Sequence, residues 1–417
     1  MKIAIIGGGA AGMMAAATIN EQAPEAEVFL IEKMDDLGKK VVISGGGRCN
    51  VTTGITDLKT VLKKYPRGEK FLISAMYRFS PEKVRAWFEE HGVPLKCEDD
   101  MRVFPISNDG KDVVRAFERI FKNNNTKILK RQAVESVERN TDQSGFLIHT
   151  KDRPTLEVDC VVLSLGGQAY RHTGSTGDGY SLAESLGHHI TPLAPTLSSM
   201  ITSQAWPGTL AGVSFEKATL TAQREKKYTF TGPFLFTHRG ISGPAVFALS
   251  SLIAFEEYDH KNPFPIFIDL LPDIKTEDLF SEIKNAAQNN PKKNFKTIVH
   301  SYIPRSVMEV FESKFAIPIE KKNAEVSKKE IQMTVDTLKR LPVYAVGRSP
   351  GEEFVTAGGV QLDEVNPQTM ESLKCPNLYF AGEILAIDGY TGGFNLQAAW
   401  ATGHTVGENI AKKFNDE

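Results

Sequence analysis

The first twelve residues constrain the fold of this chain more than any other stretch. They contain an apolar run at residues 2–6 and the sequence GGGAAG at residues 7–12, and an alanine-rich run follows. This order predicts a buried parallel strand, a glycine turn and a helix. Gly7 permits the tight turn, Gly9 lets a pyrophosphate approach the backbone, and Gly12 lets the helix pack closely on the strand. The pyrophosphate would meet free N–H groups at the helix N-terminus.

An acidic residue follows at the spacing that a dinucleotide site needs. Residues 28–31 (VFLI) predict a second strand, and Glu32 ends it, about 20 residues after the last glycine of the turn. A carboxylate there suits the two hydroxyls of an adenosine ribose and disfavours a 2′-phosphate. The alternative is a glycine-rich turn that binds nothing. The matching order of strand, glycines, helix, strand and acid argues against it.

Composition narrows the class of protein and its partners. Charged residues make up 24% and hydrophobic residues 41% of 417 residues, which is typical of a globular protein with two or three domains. The formal net charge is -2, so no overall field favours nucleic acid or an anionic membrane. We therefore expect a small-molecule substrate, no nucleic-acid partner and no membrane partner. The oligomeric state stays open.

The cysteines and the hydropathy pattern indicate the compartment. Cys49, Cys97, Cys160 and Cys375 show neither CxxC nor Cys/His ligand spacing, which argues against a structural metal and a disulfide framework. The apolar start is too short for a signal peptide, and no run approaches the length of a membrane span. These features predict a cytoplasmic protein without a metal site.

A second glycine cluster, GGGRCNVT at residues 45–52, predicts backbone that lies against a flat ligand or a phosphate. Within it Cys49 is the one cysteine with a case for function, and the alternative is a small buried hydrophobe. Since no second cysteine precedes Cys97, a dithiol relay is not expected.

The middle of the chain predicts scaffold, then more ligand-facing loops. Residues 59–125 have an amphipathic helical pattern, and residues 127–137 and 146–150 predict strands that return to the first sheet. The backbone of Ala133 and Val134 could hold an adenine. Residues 158–165 predict a buried strand, and the loop of residues 166–180 follows its carboxyl end, where α/β sheets place ligands.

Residues 196–269 predict a β-rich unit with short alternating runs, and residues 275–340 predict charged helices broken by prolines. His238 and Arg239, between glycines in the first of these regions, could serve a substrate or form a turn with a satisfied histidine.

Glycine-rich apolar sequence then returns. Residues 378–381 predict a last strand of the first sheet, Gly382 and Glu383 its ligand-facing end, and residues 395–412 a terminal helix. N–H groups of Gly393, Phe394 and Asn395 would stabilise negative charge on a bound ring. The preceding glycines let the ring approach the backbone or, alternatively, let the helix pack on the sheet.

These motifs resemble the HI0933-like family of flavoproteins, NAD(P)/FAD-dependent oxidoreductases of the glutathione-reductase-type FAD fold. The resemblance covers nearly the whole chain and also rests on residues 173–179 (TGSTGDG), 237–244 and 356–360 (TAGGV). It implies an α/β fold with a discontinuous Rossmann-like FAD-binding domain, an inserted β-barrel-like subdomain and a helical subdomain. We place these at 1–190 with 357–417, at 191–270 with 341–356, and at 271–340. One departure is Ala386, where the family pattern leads us to expect an acid.

The motifs and the resemblance together predict FAD as cofactor, with NAD(P)H as a transient reductant. The predicted cofactor-binding residues are Gly7, Gly9, Ala10, Ala11, Gly12, Glu32, Lys33, Lys40, Gly46, Gly47, Arg48, Cys49, Asn50, Ala133, Val134, Gly166, Gly167, Gly177, Gly382, Glu383, Gly392, Gly393, Asn395 and Leu396. The candidates for contact with the substrate are Tyr170, Arg171, His172, His238, Arg239 and Tyr390.

The leading functional hypothesis is an oxidoreductase that transfers a hydride between flavin N5 and a small organic substrate. Reduction of an activated double bond and oxidation of a small amine both fit. The alternative is a flavin-binding redox sensor, or partner protein, without small-molecule turnover. A second strand–GxGxxG–helix unit is absent between Gly167 and Gly358, so we expect nicotinamide to bind weakly.

Overall fold

The computed structural model describes residues 1–124, 126–141, 144–151 and 153–416. The chain divides into two compact units, Met1–Thr196 with Phe354–Glu417, and Leu197–Glu353. No helix among the described residues is long and apolar enough to cross a bilayer.

The strands, in chain order, are β1 (Lys2–Ile6), β2 (Glu27–Glu32), β3 (Thr52–Thr53), β4 (Leu95–Cys97), β5 (Arg102–Pro105), β6 (Thr126–Lys130), β7 (Val134–Arg139), β8 (Phe146–Thr150), β9 (Leu156–Val158), β10 (Cys160–Leu163), β11 (Ala194–Thr196), β12 (Met200–Thr202), β13 (Ser214–Gln223), β14 (Lys227–Thr237), β15 (Gly240–Ser242), β16 (Phe264–Asp269), β17 (Leu341–Arg348), β18 (Val355–Ala357) and β19 (Leu378–Phe380).

The α-helices are α1 (Ala10–Gln22), α2 (Lys39–Ile43), α3 (Leu58–Leu62), α4 (Ile73–Arg78), α5 (Pro81–Glu90), α6 (Lys111–Asn123), α7 (Asp178–Ser185), α8 (Trp206–Thr209), α9 (Pro244–Leu252), α10 (Thr276–Asn289), α11 (Lys296–Val299), α12 (Arg305–Phe315), α13 (Lys328–Lys339) and α14 (Phe394–Asp416).

A five-stranded parallel sheet forms the centre of the first unit, in the order β19-β10-β1-β2-β6. The central strand β1 pairs on both sides, with Ile3 opposite Cys160 and Val28. Strand β10 is buried on both faces, as its continuous apolar sequence requires. The predictions of β1, β2, β10 and β19 as members of one sheet are confirmed.

The prediction that residues 134–137 and 146–150 return to the first sheet is wrong. Strands β7, β8 and β9 form a separate three-stranded antiparallel sheet, and only β6 joins the first one. After β6, Arg131 has a positive φ of 58°. The N–H groups of Arg131 and Gln132 donate to carbonyls of Met34 and Glu32, at 3.0 Å each. This turn ends the parallel ladder before β7 begins.

The prediction of residues 59–125 as helical is partly wrong, and Asn125 lies outside the described residues. Helices α3 to α6 are present, but β4 and β5 lie among them and form an antiparallel sheet with β3. The buried side chains of Val103 and Phe104 make β5 a core strand. These strands have only three and four residues, too few for a clear alternating pattern.

Helices α1 and α14 pack together at backbone distance. A Cβ on Gly403 would lie 2.3 Å from the carbonyl oxygen of Ala11, and one on Gly407 would lie 2.5 Å from Cβ of Thr18. Both helices are largely buried beside the first sheet. The order of these contacts makes the two helices parallel, so both N-termini point toward the same end.

The second unit contains a closed six-stranded barrel, in the order β12-β15-β14-β13-β16-β17. Alternate residues of β13, such as Ala218, Leu220 and Ala222, are buried in its core. The β-rich prediction and the charged helices at 275–340 are confirmed. Helix α9, which begins at Pro244, lies inside the predicted β-rich region; proline at its first position suits a helix start. The finer division of the insert into two subdomains stays a prediction.

Replacing Gly403 with alanine should destabilise the first unit, because the new Cβ would overlap the backbone of α1. We expect a loss of roughly 1–3 kcal/mol in unfolding free energy, measured by urea denaturation of the FAD-loaded protein. The exposed change Lys412→Ala on the same helix should stay within about 0.5 kcal/mol of the wild type. Equal stability of Gly403→Ala and Lys412→Ala would contradict the close packing.

Candidate functional site

The glycine turn after β1 leaves one open approach to the backbone. Gly7 has a φ of 107°, and a Cβ on Gly12 would lie 2.0 Å from the carbonyl oxygen of Gly7. These glycines are therefore required by the turn itself. At Gly9, by contrast, a Cβ would meet no atom of the described residues within 4 Å. The backbone at Gly9 faces space that a ligand can fill.

The N-terminus of α1 begins at this open space. No side chain caps it, and the N–H groups of its first turn, including Ala10 and Ala11, have no partner within the helix. Gly8 N–H donates to the carboxylate of Glu32 at 2.8 Å, and Met34 N–H donates to its other oxygen at 2.8 Å. The turn thus fixes the carboxylate of Glu32 beside the helix end. Unpaired N–H donors and an adjacent acid suit a diphosphate and a ribose.

The second glycine loop is also open on one side. Gly45, Gly46 and Gly47 have φ angles of 58°, 72° and 88°. Within the part of the chain that the structure describes, a Cβ on Gly46 or Gly47 would meet no atom within 4 Å. A flat ligand could therefore lie against these residues. The guanidinium of Arg48 donates to Glu98 at 2.7 Å and lies 3.8 Å from the ring centre of Phe104. Arg48 therefore braces the loop.

Two side chains of this loop, those of Cys49 and Asn50, make contacts within the protein. Cys49 is completely buried in the hydrophobic core, and burial raises the pKa of its thiol to about 12. The thiol is therefore neutral at physiological pH, as expected of the packing interpretation. The side chain of Asn50 accepts a hydrogen bond from Val103 N–H at 3.3 Å. The prediction that Cys49 and Asn50 bind the cofactor remains a prediction. Any such contact would have to come from their backbone atoms.

Two lysines reach from the segment after β2 to the loop after β10. Lys33 donates to Thr176 and to Asp178, the latter at 2.5 Å. Burial opposes ionisation of Asp178, but hydrogen bonds from Lys33 and Thr176 outweigh it and lower its pKa. The αL conformation of Gly177, with φ of 88°, lets α7 begin at Asp178.

Lys40 pairs with Glu383 at 2.5 Å and donates to Ser175 at 3.1 Å. The other oxygen of Glu383 accepts the N–H of Thr356 at 2.9 Å. A Cβ on Gly167 would lie 2.6 Å from Thr356 Oγ1 and 2.9 Å from Glu383 Oε1. The ends of β10, β18 and β19 thus meet in one polar cluster, next to Gly166 and Gly382. The sequence did not predict that Thr356 and Ser175 belong to this cluster, although both residues lie in motifs quoted above.

Ala133 and Val134 lie where the segment after β6 passes the end of β2. The Gln132 N–H bond to the carbonyl of Glu32 holds this segment beside the predicted ribose carboxylate. Ala133 is exposed there. This placement is compatible with an adenine contact, which stays a prediction.

The N-terminus of α14 offers donors, but its glycines have a packing role. A Cβ on Gly393 would lie 2.4 Å from the carbonyl oxygen of Thr52, and Gly393 has a φ of 88°. Close packing therefore accounts for glycine at this position, although the contact is with β3 and not with the first sheet. A contact of Gly393 with the cofactor stays a prediction. A Cβ on Gly392 would contact the ring of Phe394 at 2.7 Å. The side chain of Asn395 bonds the backbone of Gly389 in both directions, at 2.8 Å each. In the described chain, the N–H groups of Phe394, Asn395 and Leu396 have no intrahelical partner.

The candidate substrate residues fall in both units. In the first unit, the ring of Tyr170 lies 6.0 Å from His172 and stacks with Phe354 at 6.1 Å. Tyr170 has a φ of 58°, which is uncommon for a bulky residue. Arg171 and His172 are exposed, and Tyr390 is half-buried before α14.

In the second unit, His238 and Arg239 are exposed and form the turn between β14 and β15. The carbonyl of Arg239 accepts the N–H of Thr202 at 3.0 Å. A role for either residue in contact with a substrate stays a prediction.

The residues present fit FAD. The fit rests on the open space at Gly9 and Gly46, the uncapped start of α1 and the fixed carboxylate of Glu32. A dinucleotide needs anion donors, a ribose acceptor and a flat backbone surface, and the first unit supplies each.

Replacing Gly9 with alanine should leave the fold intact, because its Cβ points into open space, but should obstruct the approach of the diphosphate. We expect FAD affinity to fall by about tenfold or more, equivalent to ~1.4 kcal/mol, in fluorescence titrations of the apoprotein. The same change at Gly347, where a Cβ also meets no atom, should leave FAD affinity unchanged. Wild-type affinity in Gly9→Ala would argue against this placement.

Comparisons with known proteins identify the family of the chain. The HI0933-like protein Rossmann domain matches residues 1–409. A 3-dehydro-bile acid delta(4,6)-reductase of Clostridium scindens is 29% identical over 417 residues, 99% of each chain. A ribosomal RNA dihydrouridine synthase of Escherichia coli is 30% identical over 419 residues, 97% of each chain. That of Haemophilus influenzae is 30% identical over 421 residues, 98% of each chain.

Among solved structures, a 3-ketosteroid delta1-dehydrogenase of Sterolibacterium denitrificans has a TM-score of 0.51 at 13% identity and covers 99% of each chain. A quinol-fumarate reductase has a TM-score of 0.50 at 14% identity and covers 99% of this chain and 70% of its own. At these identities the likeness concerns the fold alone. With the family match and the site geometry, the conclusion is that this chain belongs to the HI0933-like family and is an FAD-dependent oxidoreductase.

Proposed function

We propose that this enzyme reduces a carbon–carbon double bond conjugated to a carbonyl group in a small organic substrate. The observation that carries the proposal is that relatives with unrelated substrates change the same kind of bond. A 3-oxo steroid with a 4,6-diene and a uracil ring both contain a double bond conjugated to a carbonyl. The names of the relatives describe removal of such a double bond in each case.

When bound, FAD supplies transfer of a hydride to or from the substrate. The chain holds the cofactor and tunes its surroundings. The N–H groups at the start of α1 would bind the diphosphate, and Glu32 would accept from the ribose. Lys40 and Glu383 form the polar cluster at the ends of β10 and β19. The first N–H groups of α14 would stabilise negative charge near the ring.

A proton must accompany the hydride, and a side chain near the ring would deliver it. Tyr390 lies four residues before the start of α14 at Phe394, while Tyr170 and His172 lie in the loop after β10. A phenol or an imidazole can hold such a proton close to neutral pH. Of these three candidate proton donors, Tyr390 has the best defined surroundings.

The substrate class rests on charge as well as on the relatives. With Lys+Arg 49 and Asp+Glu 51, the chain lacks the excess of positive charge typical of proteins that bind nucleic acid. A small ketone with a conjugated double bond is therefore the proposed substrate. Ribosomal RNA is the second candidate substrate, because two relatives at 30% identity are named ribosomal RNA dihydrouridine synthases.

The test uses FAD-loaded enzyme reduced with dithionite and mixed anaerobically with candidate substrates in a stopped-flow instrument. We expect rapid re-oxidation of the flavin by a 3-oxo steroid 4,6-diene or a simple enone, with the saturated ketone as product. The corresponding saturated ketone serves as the matched negative control. Re-oxidation only by uridine-containing ribosomal RNA would replace the proposed substrate with the second candidate.

Other outcomes of the same screen would refute the proposal. Reduction of oxidised enzyme by a small amine, with no response to enones, would favour amine oxidation. A flavin that responds to none of these compounds would favour the redox sensor.

We also propose that NAD(P)H acts as a transient reductant that binds weakly. The sequence between Gly167 and Gly358 lacks a second strand–GxGxxG–helix unit, so no dedicated nicotinamide dinucleotide fold is expected there. We expect a dissociation constant of about 1 μM or weaker, near -8 kcal/mol, in calorimetric titrations of the oxidised enzyme. A low nanomolar dissociation constant for either nucleotide would overturn this.

A further inference from the structure

A buried ion pair lies next to Tyr390. Asp388 is completely buried, and its carboxylate accepts hydrogen bonds from Nε and Nη2 of Arg67, the latter at 2.5 Å. The backbones of Arg67 and Asp388 also form an antiparallel bridge. Removing the partner of a buried carboxylate strongly destabilises the folded protein. The guanidinium of Arg67 is therefore held in one place, although the two residues are 321 positions apart in the chain.

The backbone of Tyr390 is anchored from two directions. Its N–H donates to the carbonyl of Lys64 at 2.9 Å. Its carbonyl, with that of Gly389, accepts from the side chain of Asn395 in the first turn of α14. Tyr65 strengthens this junction, because its hydroxyl donates to the carbonyl of Phe394 at 2.7 Å. Tyr390 thus has a fixed position beside the helix start where the ring of the cofactor is expected.

Arg67 and Asp388 are charged groups that act on the phenol of Tyr390. Burial raises the pKa of Tyr390 above its ordinary value, Arg67 opposes this rise, and Asp388 adds to it. The phenol therefore keeps its proton through neutral pH. When that proton leaves, the guanidinium of Arg67 stabilises the phenolate, and Asp388 keeps the guanidinium from moving away.

The geometry points to Tyr390 as the proton donor of the double-bond reduction, with Arg67 and Asp388 as its positioning pair. This inference rests on the proposed function. The π bond of the conjugated substrate breaks and two C–H bonds form. One carbon receives the hydride, and its neighbour receives the proton from the Tyr390 hydroxyl. The phenolate then regains a proton from water.

The catalytic role is tested by comparing two oxidants of the dithionite-reduced, FAD-loaded enzyme. Ferricyanide removes electrons and needs no proton from the site, whereas an enone needs one. In Tyr390→Phe we expect re-oxidation by the enone to slow by roughly 100-fold or more, and re-oxidation by ferricyanide to stay unchanged. The matched control, Tyr77→Phe, alters a tyrosine that is 56% exposed on α4 and should match the wild type with both oxidants. Wild-type enone rates in Tyr390→Phe would overturn the assignment.

The positioning pair is tested by the pH dependence of the same reaction. Removing the positive charge in Arg67→Met should raise the pKa of Tyr390 and move the alkaline limb of the enone reaction to higher pH. Removing the negative charge in Asp388→Asn should move it to lower pH. Arg67→Lys keeps the charge and should hold the limb closer to the wild-type position. A merely structural pair would reduce stability without opposite shifts, and that result would overturn its role.

Failure of the proposed function gives a different pattern. If ferricyanide but no conjugated ketone re-oxidises the wild type, the reaction is wrong and the donor role of Tyr390 falls with it. The pair is then judged by NMR titration of protein with labelled tyrosine, compared with Tyr390→Phe to assign the signal. A lower pKa of Tyr390 in Asp388→Asn than in the wild type supports the electrostatic coupling, and an unchanged value overturns it.

Discussion

The contact on which the first unit depends is the backbone-to-backbone packing of α1 and α14. Gly403 of α14 meets the carbonyl of Ala11, and Gly407 meets the carbonyl of Ala15 and the side chain of Thr18, so these glycines let the two helix backbones come close. The helices run parallel, and α14 begins nine residues before Gly403 whereas α1 begins one residue before Ala11. At 1.5 Å per residue the start of α14 is about 12 Å beyond the start of α1. Two sets of unpaired N–H donors therefore lie at separate places along one direction. An elongated dinucleotide, with a diphosphate at one point and a ring at another, suits that spacing.

The local parts of this arrangement could be predicted from sequence because the physical signals are local. The glycine turn, α1 and Glu32 lie within the first 32 residues, where the order of residue types dictates the strand, turn and helix. The β-rich character of the second unit could also be predicted, because alternation of apolar and polar residues indicates a strand with one buried face. By contrast, β7 and β8 have the composition of sheet members, but composition does not specify which sheet. The turn at Arg131 decides that, through backbone bonds to a segment almost 100 residues earlier.

Most features of the candidate site that could not be predicted from the sequence are contacts between residues that are distant in the chain. Lys40 and Glu383 are 343 residues apart, and Arg67 and Asp388 are 321 residues apart. Each residue alone is an ordinary charged side chain, and only the fold makes it a partner. Gly393 gives the opposite lesson: its position before a helix suggested contact with a ligand. The structure places the backbone of Thr52 where its side chain would be, so packing requires glycine there whether or not a ligand contacts its backbone.

The charges at the candidate site largely cancel, and this identifies what can attract an anion. Lys33 pairs with Asp178, Lys40 with Glu383, Arg48 with Glu98, and Arg67 with Asp388. Because each of these cations has an acidic partner, we expect the attraction for a diphosphate to come mainly from N–H groups of the backbone at the helix starts. Such donors are already fixed by the fold and lose little conformational freedom on binding, unlike the end of a long lysine side chain. Two of the pairs, Lys33–Asp178 and Lys40–Glu383, link the segment after β2 to the segments after β10 and β19. The packing of α1 against α14 sets how far apart these two helix starts lie along their common direction.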